Sequence, residues 1–301
     1  MNRFRMVWLL LLVTVLLSAC GASNNGKATS PESAGTADNA QAAAPDATGG
    51  AEPGDSGNAA PTEEGASAGE LVTLTVSAAA SLTDALEELE SQFEAAHPNI
   101  ELQFNFGGSG ALRRQLEQGA PADLFLSASM PHMEALVEAG LIAADQQRTL
   151  LGNSLVVVVP ADAQEAPADL EALTSDAIAR VAVGIPESVP AGAYAQEALM
   201  NAGVWETLQA KTVQAKDVRQ VLQYVETGNV EAGFVYKTDA ASTGGVRIAF
   251  DVDPSLHAAI DYPAGIVSAT GHPEEAQTLY TFLQSDEALE VFETYGFSAA
   301  P

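Results

Sequence analysis

Residues 71–106 read LVTLTVSAAASLTDALEELESQFEAAHPNIELQFNF, and this stretch contains the pattern that decides the fold. Residues 71–76 form an apolar run typical of a buried strand. Residues 82–96 carry apolar side chains at helical spacing, and the sequence His97-Pro98-Asn99 predicts the end of that helix. Residues 100–106 alternate between apolar and polar side chains, which predicts a second strand. The stretch therefore predicts a strand–helix–strand unit of an α/β protein.

The same alternation continues to the C terminus. Further strands are predicted at 123–126, 155–159, 181–183, 232–236, 247–250 and 264–268. Further helices are predicted at 111–117, 130–139, 194–202, 218–226 and 274–293, the last with a break near Ser285. This order predicts a parallel sheet covered by helices. About 230 residues of α/β pattern without a dinucleotide fingerprint favour two lobes with a ligand crevice between them.

The N terminus has the pattern of an export signal. Arg3 and Arg5 precede an apolar run of 12 residues, Met6 to Leu17, interrupted only by Thr14. Such a run is too short for a membrane-spanning helix, which needs about 20 residues, and suits a signal peptide. The sequence Leu17-Ser18-Ala19-Cys20 resembles a bacterial lipobox. We therefore expect residues 1–19 to be removed and Cys20 to be lipidated.

Residues 21–70 have a different composition from the rest of the chain. They contain no Leu, Ile, Val, Met, Phe, Tyr or Trp, and their charged side chains are eight acids and Lys27. A segment with so little to bury cannot offset the entropy cost of ordering. With Cys20, residues 20–70 are predicted to form a lipidated, disordered, acidic tether. The folded part is then residues 71–301.

Charge and composition exclude several classes of protein. The chain has 12 Lys and Arg against 40 Asp and Glu, a formal charge of -28. Nucleic-acid binding needs clustered basic side chains and is not expected. A single Cys excludes a disulfide framework and a Cys-based zinc or iron–sulfur site, and the four His lack metal-ligand spacing. No direct cation ligand and no cofactor are predicted.

Four predicted helices begin directly after a strand or loop that contains small or polar residues. The segments concerned are Ser81 to Asp84, Gly107 to Gly110, Pro186 to Gly192, and Lys216 to Val218. Ser81, Ser109 and Asp217 are each predicted as N-caps, with Asp84 completing a capping box for the first helix. The glycines beside Ser109 permit close approach of another backbone. In α/β folds such turns gather at the carboxyl ends of strands, where ligands bind.

Several helix N-termini meeting in one cleft could hold an anion without Lys or Arg. Each presents free N–H groups and roughly half an elementary positive charge. Hydroxyl groups of Ser81, Ser109 and Tyr236 could add donors. Taken singly, each serine is as well explained as a helix cap, and Tyr236 as a core residue.

A family resemblance favours the anion site. Ala78-Ala79-Ala80-Ser81-Leu82-Thr83 resembles the opening of the periplasmic molybdate-binding proteins of ATP-binding-cassette (ABC) transporters. Further matches follow in order. They are Gly119 to Phe125, Leu150 to Val157, Val189 to Leu199, Asp217 to Arg219, Phe234 to Ala240, and Tyr295-Gly296-Phe297. The resemblance covers about 71 to 298, which is the whole folded part.

The resemblance implies a class II type solute-binding fold of two lobes that close on molybdate or tungstate. It implies that lobe 1 comprises residues 71–153 and 262–301, and lobe 2 residues 154–261. The donors it implies are the hydroxyls of Ser81, Ser109 and Tyr236 and the main-chain N–H groups of Ala191 and Val218. It also implies a non-enzymatic monomer that delivers its ligand to an ABC permease, held on the extracytoplasmic side of the membrane through lipidated Cys20.

One departure from the family and several alternatives bear on this interpretation. Relatives often have a run of Ser and Thr around the second serine, where this chain has Gly107-Gly108-Ser109-Gly110. The same fold could hold sulfate, phosphate or ferric ion, although Tyr236 stands nearly alone as a candidate iron ligand. A serine hydrolase is a further alternative, because the Ser109 segment lacks only the last glycine of a nucleophile elbow and His132 or His257 could act as base. An adhesion or sensor domain would leave the five donors unexplained.

Overall fold

The computed structural model describes residues 70–300, and the elements below are those of this part of the chain. The strands are β1 (Val72–Ala79), β2 (Ile100–Gly107), β3 (Leu124–Leu126), β4 (Ile142–Gly152), β5 (Leu155–Pro160), β6 (Val181–Gly184), β7 (Thr212–Ala215), β8 (Ala232–Tyr236), β9 (Val246–Asp251), β10 (Asp261–Val267) and β11 (Ser298–Ala299). The helices are α1 (Thr83–Ala96), α2 (Ser109–Glu117), α3 (Met130–Glu138), α4 (Pro190–Asn201), α5 (Trp205–Leu208), α6 (Val218–Glu226), α7 (Lys237–Ala241), α8 (Pro273–Phe282) and α9 (Asp286–Thr294).

The strands form two sheets, in agreement with the two-lobed α/β fold that the sequence predicts. The first sheet has the order β11-β4-β10-β3-β1-β2, and the second has the order β7-β6-β8-β5-β9. We call the residues of the first sheet and its helices the first-sheet part, and those from β5 to β9 the second-sheet part. The signal peptide, Cys20 and all but the last residue of the tether lie outside the described residues.

The prediction of parallel sheets is wrong for part of each sheet. In the first sheet β1 pairs in parallel with β2 and β3, whereas β10 runs antiparallel to both β3 and β4. The chain leaves this sheet after Gly152 and returns at Asp261, and these two residues are paired. A strand that enters where another leaves must run in the opposite direction. In the second sheet β5 is antiparallel to β8 and β9.

The helical spacing of the first predicted helix has the expected effect on packing. Leu82, Leu86 and Leu89 are 1% exposed and Phe93 is fully buried. The helix ends at His97, whose N–H bonds the carbonyl of Phe93. The predicted break near Ser285 is also confirmed, because α8 and α9 are separate helices and the Ser285 side chain caps α9.

Three strands are missing from the sequence-based prediction, namely β4, β7 and the two-residue β11. β4 carries Asp, Gln and Arg through its middle and is largely exposed there, so its sequence lacks the apolar alternation of a strand. β7 has only four residues, of which one is buried. Within residues 70–300 no helix has the length and apolar character needed to cross a membrane.

The parallel strands position the candidate site. β1, β2, β6, β7 and β8 each lead within a few residues into a helix, so the starts of these helices lie at carboxyl ends of strands. The two serines come from the first-sheet part, and the other three predicted donors come from the second-sheet part. The site is therefore assembled from both parts.

Candidate functional site

The structure brings all five predicted donors to one small cavity. Its volume is about 10 Å³, measured as the space open to the centre of a water-sized sphere. Ser81, Ser109, Ala191, Val218 and Tyr236 all line it, and none is more than 4% exposed. The remaining lining residues are small or apolar: Ala79, Ala80, Gly107, Gly108, Ala128, Val189 and Pro190. No charged side chain belongs to this lining.

Ser81 does not cap α1, which corrects the capping-box prediction. It lies in a 3-10 turn, Ala80–Leu82, between β1 and α1, and no side chain caps the helix. The Ser81 hydroxyl instead lies 2.9 Å from the hydroxyl of Tyr262, in a buried contact. The side chain is thus directed toward the core and the cavity rather than toward its own helix.

Ser109 does not cap its helix either. It is the first residue of α2, and the N-cap position belongs to Gly108. The Ser109 Oγ accepts a hydrogen bond from the Ala128 N–H at 3.0 Å. Because the oxygen acts as acceptor there, the hydroxyl proton is available to a ligand in the cavity.

Two helix N-termini of the second-sheet part reach the cavity. Ala191 is the second residue of α4, and Val218 is the first residue of α6. N–H groups at these positions have no carbonyl partner within their own helix. Asp217 caps α6 as predicted, since its carboxylate accepts from the Gln220 N–H at 2.8 Å. That carboxylate is therefore engaged with its own helix.

Tyr236 supplies a buried phenol without a partner. It ends β8 and is 1% exposed. Among residues 70–300 its hydroxyl makes no hydrogen bond of normal geometry, although Tyr262 lies beside it and a buried polar group normally has a partner. Burial raises the pKa of Tyr236 well above its ordinary value, so the phenol keeps its proton. An unpartnered donor facing a cavity is what a bound acceptor would satisfy.

The glycines beside Ser109 allow the two parts to approach closely, as the sequence predicts. A Cβ on Gly108 would lie 2.7 Å from the Ser188 carbonyl oxygen and 2.9 Å from that of Lys216. A Cβ on Gly110 would lie 2.9 Å from the Cα of Ser188. The Gly110 N–H also bonds the Ser188 carbonyl at 3.0 Å. The loss of Ser and Thr at these positions therefore makes room for the opposite backbone.

An ion-pair cluster also joins the two parts. Arg219, next to the donor Val218, pairs with Asp84 of the first-sheet part and lies 3.1 Å from a carboxylate oxygen of Asp239. Asp239 is fully buried, and burial raises its pKa to about 6, although the Arg219 charge acts in the opposite direction. Arg219 is thus directed at two carboxylates rather than at the cavity.

The geometry offers no support for a hydrolase or a cation centre. Ser109 Oγ accepts a hydrogen bond from the Ala128 N–H. Within residues 70–300, neither His132 nor His257 forms a hydrogen bond with Ser109 Oγ. A serine nucleophile would need such a base. The described residues also contain no group of three or more His, Cys, Asp or Glu side chains placed to hold a metal ion.

Sequence reasoning did not identify the residues behind the donors. Tyr262 contacts Ser81, and Asn153 donates to Tyr262 at 3.2 Å and to Thr238 at 3.0 Å. Asn153 lies in one of the family-like motifs, yet nothing in that motif indicates its partner. Tyr262 carries no signal at all, because it lies 181 positions from Ser81 in the sequence.

Comparison with known proteins gives consistent matches over the folded part. Residues 74–298 match the family described as bacterial extracellular solute-binding protein. The chain is 49% identical over 228 residues to a protein of Bacillus subtilis named as an ABC transporter substrate-binding lipoprotein, covering 76% of this chain and 87% of the relative. It is 39% identical over 230 residues to the molybdate-binding protein ModA of Escherichia coli, covering 75% and 88%.

Solved structures agree with these matches. The substrate-binding domain of a molybdenum ABC transporter from Clostridium difficile is 37% identical with a TM-score of 0.59, and the match covers 76% of this chain and all of that one. The periplasmic molybdate-binding protein of Azotobacter vinelandii has a TM-score of 0.68 at 22% identity, with coverage of 76% and 100%. The sulfate-binding protein SubI of Mycobacterium tuberculosis has a TM-score of 0.66 at 18% identity, with coverage of 75% and 86%. The last two likenesses concern the fold alone.

Proposed function

The chain belongs to the family of bacterial extracellular solute-binding proteins, and from this premise we propose that it captures molybdate or tungstate for an ABC permease. One observation carries the proposal. Five hydrogen-bond donors from both parts of the molecule meet at one buried cavity whose lining has no charged side chain. The 39% identity to a molybdate-binding protein supports the same ligand.

The size of the cavity favours a small inorganic ion. Organic ligands usually occupy pockets of about 300–1,000 Å³. A cavity of about 10 Å³ holds one small centre surrounded closely by lining atoms. A tetrahedral oxyanion fits this description, because its oxygens can each meet a donor while its centre takes the remaining space.

The donor set favours an anion without protons. Three hydroxyls and two main-chain N–H groups can all donate, and burial raises the pKa of the Tyr236 phenol. Molybdate, tungstate and sulfate carry no proton at neutral pH, whereas phosphate does. A protonated oxygen that faces donors leaves its own O–H unpaired, which costs about 1–3 kcal/mol. Sulfate has the same charge and shape as molybdate but is smaller. It is therefore the alternative ligand, and only the dimensions of the cavity distinguish it from molybdate.

We further propose that residues 71–153 with 262–301 form lobe 1, and that residues 154–261 form lobe 2. The membership of the two sheets supports this division, because the chain passes between them only at 153–154 and 252–260 among the described residues. The binding cleft lies between these lobes. Contacts such as Gly110 to Ser188 are then contacts of the closed arrangement.

The proposed role is binding without catalysis, by a monomer anchored through lipidated Cys20 and held away from the membrane by residues 21–70. The name of the Bacillus subtilis relative, a lipoprotein of an ABC transporter, supports the anchor and the permease partner. The absence of a base bonded to Ser109 among the described residues supports a binding role.

Calorimetric titration of the detergent-solubilised protein tests the ligand. We expect molybdate and tungstate to bind at least about tenfold more tightly than sulfate or phosphate at pH 7, a difference of about 1.4 kcal/mol. Phosphate binding as tightly as molybdate would overturn the donor-only site. Sulfate binding more tightly than molybdate would establish the alternative ligand.

A further inference from the structure

A chain of two hydrogen bonds, the inner one buried and the outer one partly buried, leads from the junction of the two parts to the first serine of the cavity. Asn153 Nδ2 lies 3.2 Å from Tyr262 Oη, and Tyr262 Oη lies 2.9 Å from Ser81 Oγ. Tyr262 is 2% exposed and Ser81 is 3% exposed. Neither Asn153 nor Tyr262 lines the cavity itself. Tyr262 contacts two lining residues, Ser81 through its hydroxyl and Tyr236 through its ring, with ring centroids 5.8 Å apart, and Tyr262→Phe removes only the first contact.

The direction of this chain follows from the contacts of Asn153. Its Oδ1 accepts from the Ser154 N–H at 2.8 Å, which fixes the amide oxygen on that side. The amide nitrogen then faces Tyr262 and Thr238, and it donates to both. Because an amide NH₂ has no acceptor capacity, the oxygen of Tyr262 must be the acceptor of that bond.

Within residues 70–300, Ser81 Oγ is the hydrogen-bond acceptor available to the proton of Tyr262. The 2.9 Å contact allows either hydroxyl to donate. Because the Tyr262 oxygen already receives the Asn153 N–H, donation by the phenol is the arrangement that gives its own proton an acceptor. Burial raises the pKa of Tyr262 well above its ordinary value, so this proton remains in place. Ser81 Oγ is then an acceptor toward the core, and its own proton is left for the cavity that it lines.

We propose that Asn153 and Tyr262 are positioning residues that hold the Ser81 hydroxyl as a donor toward the bound oxyanion. This inference rests on the proposed function. Without these residues Ser81 could donate to the protein and present a lone pair to the anion, which would repel it. Hydrogen bonds in such a chain also polarise one another and strengthen the last bond, by about 10–30%.

The positions of the two residues link this donor to the junction between the parts. Asn153 lies between β4 and β5, where the chain first leaves the first-sheet part, and Tyr262 lies in β10, where it returns. Thr238, the second acceptor of Asn153, belongs to α7 of the second-sheet part. The two residues that orient Ser81 therefore lie where the chain passes between the two lobes.

A double-mutant cycle tests whether Tyr262 acts through Ser81. Tyr262→Phe keeps the ring and should weaken molybdate binding about tenfold. In a Ser81→Ala background the same change should cost less than about twofold, because the group that it positions is gone. Tyr295→Phe is the matched control. Its hydroxyl bonds Glu88 on the surface, and its loss should leave the affinity unchanged.

Asn153→Asp tests the direction of the chain. A carboxylate can still accept from Ser154 but cannot donate to Tyr262, so the phenol would turn to the carboxylate and Ser81 would donate to the phenol. Affinity should fall more than about tenfold at pH 8 and recover as the carboxyl group is protonated at lower pH. If the effect of the carboxylate passes through the phenol, adding Tyr262→Phe should reduce the pH dependence. If the carboxylate simply repels the anion, the pH dependence should remain in the double variant.

The unmodified protein is the reference for this profile. Asp251, His257 and Asp261 line the same surface cavity as Asn153. The buried Asp239, whose pKa burial raises to about 6, acts on Tyr262. All four are retained in every variant, and the profile of the unmodified protein shows their contribution. Thermal melting without ligand reports whether each variant folds. If Asn153→Asp does not fold, Asn153→Ser replaces it, and this variant should weaken binding without the pH dependence.

The outcomes separate the two proposals. If the unmodified protein fails to bind molybdate, the proposed function is wrong and this inference falls with it. If Ser81→Ala weakens binding while Tyr262→Phe does not, the function stands and the inference is overturned. Equal losses from Tyr262→Phe with and without Ser81 would also overturn it, because they would mean that the phenol acts independently of the serine.

Discussion

Replacing Gly110 by alanine should weaken ligand binding more than it weakens the fold. Gly110 lies in α2 of the first-sheet part. Its added Cβ would lie 2.9 Å from the Cα of Ser188 in the second-sheet part and 2.9 Å from Nε2 of the His132 side chain in its own part. Cβ atoms are essentially never found so close to backbone atoms, so the contact must be relieved by a shift. The Ser188 backbone cannot rotate away as a side chain tip can. The two parts must therefore separate.

The magnitude follows from the cost of one added methyl group. Overpacking of this kind costs about 1–3 kcal/mol. If the strain falls on the closed arrangement alone, molybdate affinity drops by about 5- to 150-fold. The unliganded protein can relieve the contact with Ser188 by opening, whereas the His132 ring must turn aside in both states. Alanine is the better helix former by about 0.5–1 kcal/mol, which offsets part of that cost. The melting temperature without ligand should therefore fall by less than the lost affinity would require.

Calorimetric titration and thermal melting of the same preparation measure both quantities. Gly244→Ala is the control, because Gly244 lies outside the cavity lining and its added Cβ would meet no atom within 4 Å. The reasoning would be refuted by equal affinities of the two variants. A fall in unliganded melting temperature that accounts for the lost affinity would refute it as well.

Three further predictions follow from individual contacts. Ser109→Ala should weaken molybdate binding by about 10- to 150-fold. It should also lower the stability of the unliganded protein by about 1–3 kcal/mol, because it leaves the buried Ala128 N–H unpaired. Titration measures the first loss and urea unfolding the second, and unchanged affinity would contradict the donor role. Burial, with two nearby arginines, lowers the pKa of His132 from 6.5 to about 4. Since the folded pKa lies below the unfolded one, its contribution to stability is present above pH 6.5 and is lost as pH falls through 4, so His132→Gln should flatten the loss of melting temperature in that range. Cys20→Ser should release the protein from membranes with unchanged ligand affinity, and retention in the membrane fraction would contradict the lipid anchor.

The sequence predicts best what depends on neighbouring residues. The apolar run 155–159 needs no partner to be recognised as a strand, and β5 spans Leu155–Pro160. The Asp217 cap joins residues three positions apart and is also found. In contrast, β4 is stabilised by pairing with β10 and β11, and its own polar, half-exposed sequence gives little sign of this.

The candidate site shows the same division. The segments that contain the five proposed donors follow from strand ends and helix starts, which the sequence pattern indicates, and the family resemblance selects the residues within them. The partners of the serines do not, because Ser109 bonds Ala128 and Ser81 contacts Tyr262, 181 positions away. Local reasoning assigned both hydroxyls to helix caps since a cap is the only partner within reach of the sequence pattern. The fold supplies other partners and thereby leaves the hydroxyls available to the cavity.

An acidic protein can hold a dianion here because selection depends on geometry rather than on charge. The described part of the chain is strongly acidic, and Arg219, next to the donor Val218, is already paired with Asp84 and Asp239. A free cation in the cavity would attract every anion alike. Neutral donors held in place by strand ends and helix starts bind only an ion whose oxygens meet them. In a cavity without water, the interaction between these donors and the ion is stronger than it would be in water. Since Ser81 and Tyr236 come from different parts, the full donor set exists only when those parts are together. The ion that completes the set therefore also favours the closed arrangement.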